Sequence, residues 1–97
     1  MQFGDYNKRL REDTKLLIEY SNRVSRTIIC KTKCGIKLTP NSRKILGVII
    51  EDADGNELYI KYSVMNNLYN NGVVALTNNI HQALSINFIK AVVSCKI

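Results

Sequence analysis

The sequence has little of the residue types that usually identify a chemistry. Its 97 residues include one His, one Pro, three Cys, five Gly and no Trp. So few Pro and Gly residues exclude collagen-like and low-complexity chains, and no glycine-rich loop is present to bind a phosphate. No apolar run approaches the ~18 residues that a membrane-spanning helix needs, and the N-terminus lacks the apolar stretch of a signal peptide. We therefore expect a cytoplasmic protein with no membrane partner.

The composition is that of one small globular domain. Hydrophobic residues make up 45% of the chain, which is typical of folded rather than disordered proteins. A chain of this length buries only about 60–65% of the surface of its unfolded state. We therefore expect a single domain, residues 1–97, with one modest core.

Apolar residues at three- and four-residue steps predict an amphipathic helix over residues 5–25. The stripe consists of Tyr6, Leu10, Leu17 and Val24. Asp5 is suited to be the N-cap, because its carboxylate accepts N–H hydrogen bonds and interacts favourably with the helix dipole. Two alternatives stay open: residues 16–20 are also compatible with a short strand, and the stripe is also compatible with a homodimer.

Regular alternation predicts a half-buried strand over residues 27–39, with Cys30 and Cys34 on the buried face and the lysines on the solvent face. The next run, Ile45–Ile50, is apolar on both faces and suits a central strand. An Asp-Gly turn then leads to a returning strand, Glu57–Tyr62.

A second short helix is predicted near residues 63–71, with Ser63 suited to be its N-cap. Residues 73–77 follow as a strand, and the β-branched tail at 80–97 predicts a last strand, with a helical turn at 85–90 as an alternative. The predicted fold class is therefore α+β. An N-terminal amphipathic helix packs on a mostly antiparallel sheet of four to six strands, next to the second short helix.

Residues 47–77 carry a pattern of turns and caps. The landmarks are Gly47-Val48-Ile49-Ile50-Glu51-Asp52, the Asp54-Gly55 turn, Tyr59 through Ser63, Leu68 and Asn71-Gly72-Val73. This segment resembles a hairpin–helix–strand module of short uncharacterised proteins from phages and mobile elements in low-GC bacteria. The resemblance covers about a third of the chain. It implies a small protein of this kind and assigns no functional residue.

The spacing of the cysteines and the histidine does not favour a metal site or catalysis. Cys30, Cys34, His81 and Cys95 have the composition of a structural zinc site, but residues four apart on a strand lie ~13 Å apart. That distance is too long for one zinc ion or for a disulfide. We expect Cys30 and Cys34 to be small core residues of a reduced protein, with zinc or a disulfide of Cys95 as alternatives. No catalytic partner lies near His81 in the sequence, so we predict a non-enzymatic protein without a cofactor.

The distribution of charge is the strongest functional signal. The net charge is +6, yet residues 1–22 are neutral in sum and residues 45–97 carry −1. The surplus therefore lies in residues 23–44, which contain seven cations and no acid. These cations are Arg23, Arg26, Lys31, Lys33, Lys37, Arg43 and Lys44. A surplus confined to one segment indicates an anionic partner.

We predict that this basic segment binds a nucleic acid or a nucleoprotein. Successive lysines on one face of a strand lie roughly 6–7 Å apart, which approximates the spacing of phosphates along a nucleic-acid strand. Contacts with phosphates give salt-sensitive affinity that does not depend on sequence. No aromatic residue lies between Arg23 and Lys44, so the segment has no evident platform for stacking bases. Tyr59 could supply one ring if its strand lies nearby.

Two alternatives to nucleic-acid binding stay open. An acidic protein is also an anionic partner, and the chain would then be a stoichiometric protein-binding module, such as a phage-encoded inhibitor of a host or defence enzyme. Lysines on a strand also protect a sheet edge against aggregation without binding any partner.

Overall fold

A computed structural model of the chain describes residues 6–37, 39, 41–79, 81, 83 and 85–94. Within these residues it contains three helices and four strands, which confirms the α+β class. They are α1 (Asn7–Arg23), β1 (Ile28–Lys37), β2 (Ile45–Glu51), β3 (Glu57–Lys61), α2 (Tyr62–Asn70), β4 (Val74–Leu76) and α3 (Ile86–Ser94). None of these three helices is long and apolar enough to cross a membrane.

The four strands form one mixed sheet in the order β3-β2-β1-β4. β2 is central and pairs antiparallel with both β1 and β3. β4 pairs parallel with β1, because α2 lies between β3 and β4 and carries the chain across to the far side of the sheet. The sheet is therefore mostly antiparallel, with one parallel pair that the sequence pattern did not indicate.

The two faces of the sheet have separate hydrophobic clusters, since successive residues of a strand point to opposite faces. The core face carries Ile28, Cys30, Ile50, Leu58 and Ile60, which pack with Leu17, Tyr20, Met65, Val74, Ile86 and Ile89. The opposite side, named here the tyrosine face, carries Ile36, Ile49 and Tyr59, which pack with Leu10 and Tyr6. Residues from all three helices contribute to the core face, whereas among the described residues only α1 and Tyr6 before it cover part of the tyrosine face.

α1 lies against the outer edge of β3 and provides hydrogen-bond acceptors for it. The backbone N–H of Tyr59 donates to Asp13 Oδ2, and that of Lys61 donates to Thr14 Oγ1, both at 2.9 Å. Leu10 is buried on the tyrosine face and Leu17 on the core face. The central residues of the predicted apolar stripe therefore belong to the core of the chain itself.

β1 contains a bulge at Lys33. The residues on either side of it, Thr32 and Cys34, pair with consecutive residues of β2, so Lys33 has no partner there. A bulge of one residue exchanges the faces to which the following side chains point. Cys30 is therefore buried on the core face, whereas Cys34 is exposed on the tyrosine face. The prediction that both cysteines are core residues was wrong for Cys34.

The predicted last strand was also wrong, because residues 86–94 form α3. Ile86 and Ile89 are buried against the core face. The backbone N–H of Ile86 donates to Asp52 Oδ2 at 3.0 Å, which holds the first residue of the helix. Burial of one apolar helix face outweighs the strand propensity of β-branched residues. The end of the predicted strand, residues 95–97, lies outside the described residues.

The helix ends differ in detail from the prediction. α2 begins at Tyr62, so Ser63 lies in its first turn, and the N-cap residue, Lys61, makes no side-chain cap hydrogen bond. α2 ends as predicted, because Gly72 adopts a left-handed backbone conformation, with a φ of 73°, that glycine takes without steric cost. The predicted N-cap of α1, Asp5, lies outside the described residues, and Tyr6 occupies the cap position.

Candidate nucleic-acid interface

The seven cations of the predicted binding segment are distributed along β1 and beyond both of its ends. They do not converge on one point. Arg23 and Arg26 precede the strand, whereas Lys37, Arg43 and Lys44 lie at or beyond its other end. A ten-residue strand spans about 30 Å. The two groups therefore cannot contact the same few phosphates.

The cations at the start of β1 lie near the ends of helices. The guanidinium of Arg23 donates to the carbonyl of Val92 at 2.6 Å, which links the last turns of α1 and α3. Arg26 is exposed and lines a shallow depression that also includes Ser25 and Gly72. Arg23 therefore helps to hold α3 against α1.

The lysines in the middle of β1 lie beside acids. Lys31 is half-buried and pairs in register with Glu51 of β2, which pairs in turn with Glu57 of β3. Lys33 Nζ lies 2.6 Å from Glu57 Oε2, and this hydrogen-bonded ion pair raises the pKa of Lys33. Although residues 23–44 contain no acid, the fold places two acids from later strands against them. The middle of the segment therefore loses part of its predicted positive charge.

The far end of the β1–β2 hairpin keeps its positive charge. Lys37, Arg43 and Lys44 are exposed. Within the described residues, none of the three forms an ion pair with an acid. The turn that carries Arg43 and Lys44 is held by two hydrogen bonds: the backbone N–H of Ser42 donates to Thr39 O at 3.0 Å, and that of Lys44 donates to Ser42 Oγ at 3.1 Å. Lys37, Arg43 and Lys44 are named the basic tip.

The basic tip lies on a two-stranded end of the sheet. β3 pairs with β2 only from Gly47 onward, and β4 pairs with β1 only as far as Cys30. Pairing between β1 and β2 continues beyond β3 by one residue pair, Lys37 with Ile45.

A shallow depression on the tyrosine face adjoins the basic tip. It is lined by Tyr6, Cys34, Gly35, Ile36, Lys37, Thr39 and Ile49. Lys37 belongs to both the tip and the depression, and none of the lining residues that the structure describes is acidic. Tyr6 could not be identified from the sequence, because it lies far from the basic segment along the chain and joins it only through the packing of α1.

Tyr59, the aromatic residue considered from the sequence, is not available for stacking. It is buried, and Arg9 Cζ lies 3.7 Å from the centroid of its ring. Burial raises the pKa of Tyr59, and the positive charge of Arg9 opposes this change. Arg9 also donates to the backbone carbonyl of Glu57 at 3.1 Å. Tyr59 and Arg9 are therefore part of the packing between α1 and β3.

The described residues contain no group of three or more His, Cys, Asp or Glu side chains that could hold a metal ion. Cys30 and Cys34 are free thiols on opposite faces of the sheet. Burial raises the pKa of the Cys30 thiol to about 12, which makes it unreactive at neutral pH. His81 is exposed, and Cys95, the last residue of the alternative zinc set, lies outside the described residues.

Comparison of the chain with protein-family models, with curated proteins and with solved structures gives no match. Function is therefore inferred from the geometry and charge of the basic tip and of the depression beside it.

Proposed function

We propose that the protein is a non-enzymatic nucleic-acid-binding protein that contacts phosphates through the basic tip. The observation that supports this proposal is the set of three exposed cations on a two-stranded end, none paired with an acid among the described residues. The proposed interface is smaller than the predicted one. It leaves out Arg23, Arg26, Lys31 and Lys33.

Binding at the basic tip would be electrostatic and would release counterions from the nucleic acid. If three phosphates of B-DNA are neutralised, the logarithm of the binding constant falls against the logarithm of salt concentration with a slope of about −2.7. Affinity then decreases about 40-fold between about 50 and 200 mM salt. Phosphate contacts position a protein without reading bases, so little sequence preference is expected on duplex DNA.

The experiment compares two triple substitutions that remove the same charge. One variant replaces the basic tip, and the matched control replaces exposed cations of α1. The tip variant is Lys37→Gln/Arg43→Gln/Lys44→Gln, and the control is Lys8→Gln/Arg11→Gln/Lys15→Gln. Binding of a labelled duplex is measured by fluorescence anisotropy over a series of salt concentrations.

We expect the tip variant to lose binding and the salt dependence described above, because the phosphate contacts are gone. The control should retain affinity within about threefold, since it changes only the long-range field. Equal losses in the two variants, or no binding of either the duplex or its single strand by the unmodified protein at about 50 mM salt, would contradict the proposal.

A stoichiometric protein-binding module is the second candidate, and it is favoured by the open edge of β1. The backbone N–H of Ile28 donates to Val73 O, and Cys30 O accepts from Thr77 N–H. Beyond Cys30, no strand pairs with this edge among the described residues. An extended acidic segment could add to such an edge. A nuclease-treated pull-down that retains one acidic protein, even with the tip variant, would favour this candidate. The resemblance of residues 47–77 to phage and mobile-element proteins stays a prediction for either function.

A further inference from the structure

We infer that the depression beside the basic tip binds a nucleobase, and that the protein's preferred ligand is therefore a single-stranded nucleic acid. This site deepens the proposed function and rests on it, because the tip supplies the phosphate contacts and the depression supplies the base contact. The presence of Tyr6 and Lys37 in the lining of the same depression carries the assignment.

The depression combines one supported aromatic ring with apolar side chains. The rings of Tyr6 and Tyr59 pack with centroids 5.3 Å apart and planes inclined by 32°. Tyr6 is only half-buried and is one of the residues that line the depression. Ile36 and Ile49, which also line it, are 4% and 7% exposed and are fixed in the cluster of the tyrosine face. A rigid ring beside apolar side chains is a surface on which a planar base can stack.

The charge around the depression matches a nucleotide better than other planar ligands. Lys37 lines the depression, Arg43 and Lys44 lie in the adjoining turn, and the described lining residues include no acid. A nucleotide joins a planar ring to an anion and can therefore contact Tyr6 and Lys37 together. A cationic planar ligand would find no carboxylate among the described residues of this lining.

The choice of a single strand follows from the accessibility of bases. In a duplex the bases are stacked and paired, so a base must leave the helix before it can enter a surface depression. A single strand presents bases that stack directly on aromatic side chains. One such contact changes affinity by about 5- to 150-fold. A single tyrosine can therefore set a clear preference between the two forms.

The experiment measures binding of a labelled single strand of about 12 nucleotides and of the duplex of the same sequence, at about 50 mM salt. The unmodified protein is compared with Tyr6→Leu, which keeps an apolar side chain but lacks the ring, and with Tyr6→Phe, which keeps the ring. We expect the unmodified protein and Tyr6→Phe to prefer the single strand by at least about fivefold. Tyr6→Leu should lose this preference while its affinity for the duplex stays within about twofold.

A second measurement does not depend on the folding of a variant. A nucleoside 5′-monophosphate is titrated into the unmodified protein, and backbone amide shifts are followed by NMR. We expect the shifts to centre on Cys34, Ile36 and Ile49, with at least about tenfold weaker affinity than for the oligonucleotide. Shifts centred elsewhere would overturn the site. An affinity equal to or tighter than that of the oligonucleotide would identify a free nucleotide as the ligand and overturn the single-strand assignment.

The two proposals fail in different ways. If both oligonucleotides bind through the basic tip but the single strand is not preferred, the base-binding site is overturned and the proposed function stands. The same conclusion follows if Tyr6→Leu weakens both forms equally. If neither oligonucleotide binds the unmodified protein, the proposed function and the base-binding site are both overturned.

Discussion

Lys33 Nζ and Glu57 Oε2 lie 2.6 Å apart, so an ion pair connects β1 to β3 across the intervening strand. The bulge at Lys33 is one place where the pairing between β1 and β2 is irregular, and a second lies between Ile36 and Lys37. The two side chains are 51% and 21% exposed, and a pair so open to solvent contributes little to stability. Its main consequence is for surface charge, because it neutralises one cation in the middle of the basic segment.

Glu57→Gln is expected to strengthen nucleic-acid binding, because it releases Lys33 from its ion pair. One further phosphate contact would steepen the salt dependence on duplex DNA by about 0.9. Salt-dependent anisotropy titrations measure both affinity and slope. The control is Glu19→Gln, which removes the same charge from α1, where Glu19 lies 3.9 Å from Lys15. If both variants gain equally, net charge alone explains the effect and Lys33 does not contact the ligand.

Asp52 is expected to dominate the acid sensitivity of the fold. Its buried carboxylate accepts hydrogen bonds from the backbone N–H groups of Asp54, Asn56 and Ile86. Burial opposes the charge, but the hydrogen bonds outweigh it and lower the pKa of Asp52 below its ordinary value of 3.8. The stabilisation is therefore present above pH 3.8 and is lost as the pH falls through the lowered pKa.

Asp52→Ala should lower the free energy of unfolding at pH 7 by about 3 kcal/mol, because it leaves buried N–H groups without an acceptor. The variant should also lose less stability than the unmodified protein when the pH is lowered. Urea unfolding at neutral and acidic pH measures both effects. Asp54→Ala is the control, since Asp54 is an exposed residue of the same turn. An equally steep loss of stability in acid for Asp52→Ala would show that another group is responsible.

Asp13 is expected to tolerate loss of its charge better than loss of its acceptor. Burial raises the pKa of Asp13, while the hydrogen bond from Tyr59 and the charge of Arg9 oppose this change. The contribution of Asp13 to stability is therefore greatest at low pH and falls as the pH rises through its raised pKa. Asp13→Ala leaves the Tyr59 N–H unpaired and should cost about 1–3 kcal/mol. Asp13→Asn keeps an oxygen acceptor and should cost less than about 1 kcal/mol in chemical unfolding. Equal losses would show that the charge matters more than the acceptor.

Gly47 is expected to be intolerant of a side chain, whereas Gly35 is not. A Cβ at Gly47 would lie 2.6 Å from Leu10 Cδ2 and 2.9 Å from the backbone carbonyl of Ile60. Gly47→Ala should therefore lower the free energy of unfolding by about 1–3 kcal/mol. At Gly35 the nearest atom would be Ile45 Cγ2 at 3.6 Å, an ordinary contact, so Gly35→Ala is a matched control. Thermal or urea unfolding compares the two, and similar losses would contradict the described packing of α1.

The two described thiols are expected to differ in reactivity. Cys34 is exposed, whereas Cys30 is buried and has a pKa raised to about 12. In a Cys95→Ser background, a thiol reagent such as Ellman's reagent should modify one cysteine rapidly in the folded protein and the second only on unfolding. Rapid modification of both would show that Cys30 is not on the core face.

Local patterns of the sequence predicted most elements of the fold. The spacing of apolar residues from Leu10 to Leu17 predicted α1, and the alternation of apolar and polar residues predicted β1. The bulge at Lys33 could not be predicted, because an inserted residue leaves the local composition unchanged. α3 was mistaken for strand because its β-branched residues fit both forms, and its helical start depends on Asp52, which is distant in the sequence.

The candidate site was predictable only in part. The count of charges in the sequence identified Lys37, Arg43 and Lys44, because it requires no knowledge of tertiary contacts. The same count included Lys33, whose neutralisation by Glu57 requires three strands to be in register. The proximity of Tyr6 to Lys37 also depends on tertiary packing. Contacts between distant parts of the chain therefore decide which members of the basic segment are available to a ligand.

The bulge at Lys33 also divides β1 between the two hydrophobic clusters. Residues before it pack in the larger cluster of the core face, whereas Ile36 packs in the smaller cluster of the tyrosine face. Local opening is easier where fewer apolar groups are buried, so the two-stranded end should exchange its amide hydrogens faster than the rest of the sheet. A ligand held between Tyr6 and Lys37 would join α1 to this end and slow its exchange. Binding at the tip would then be detected as increased order in the least protected part of the sheet.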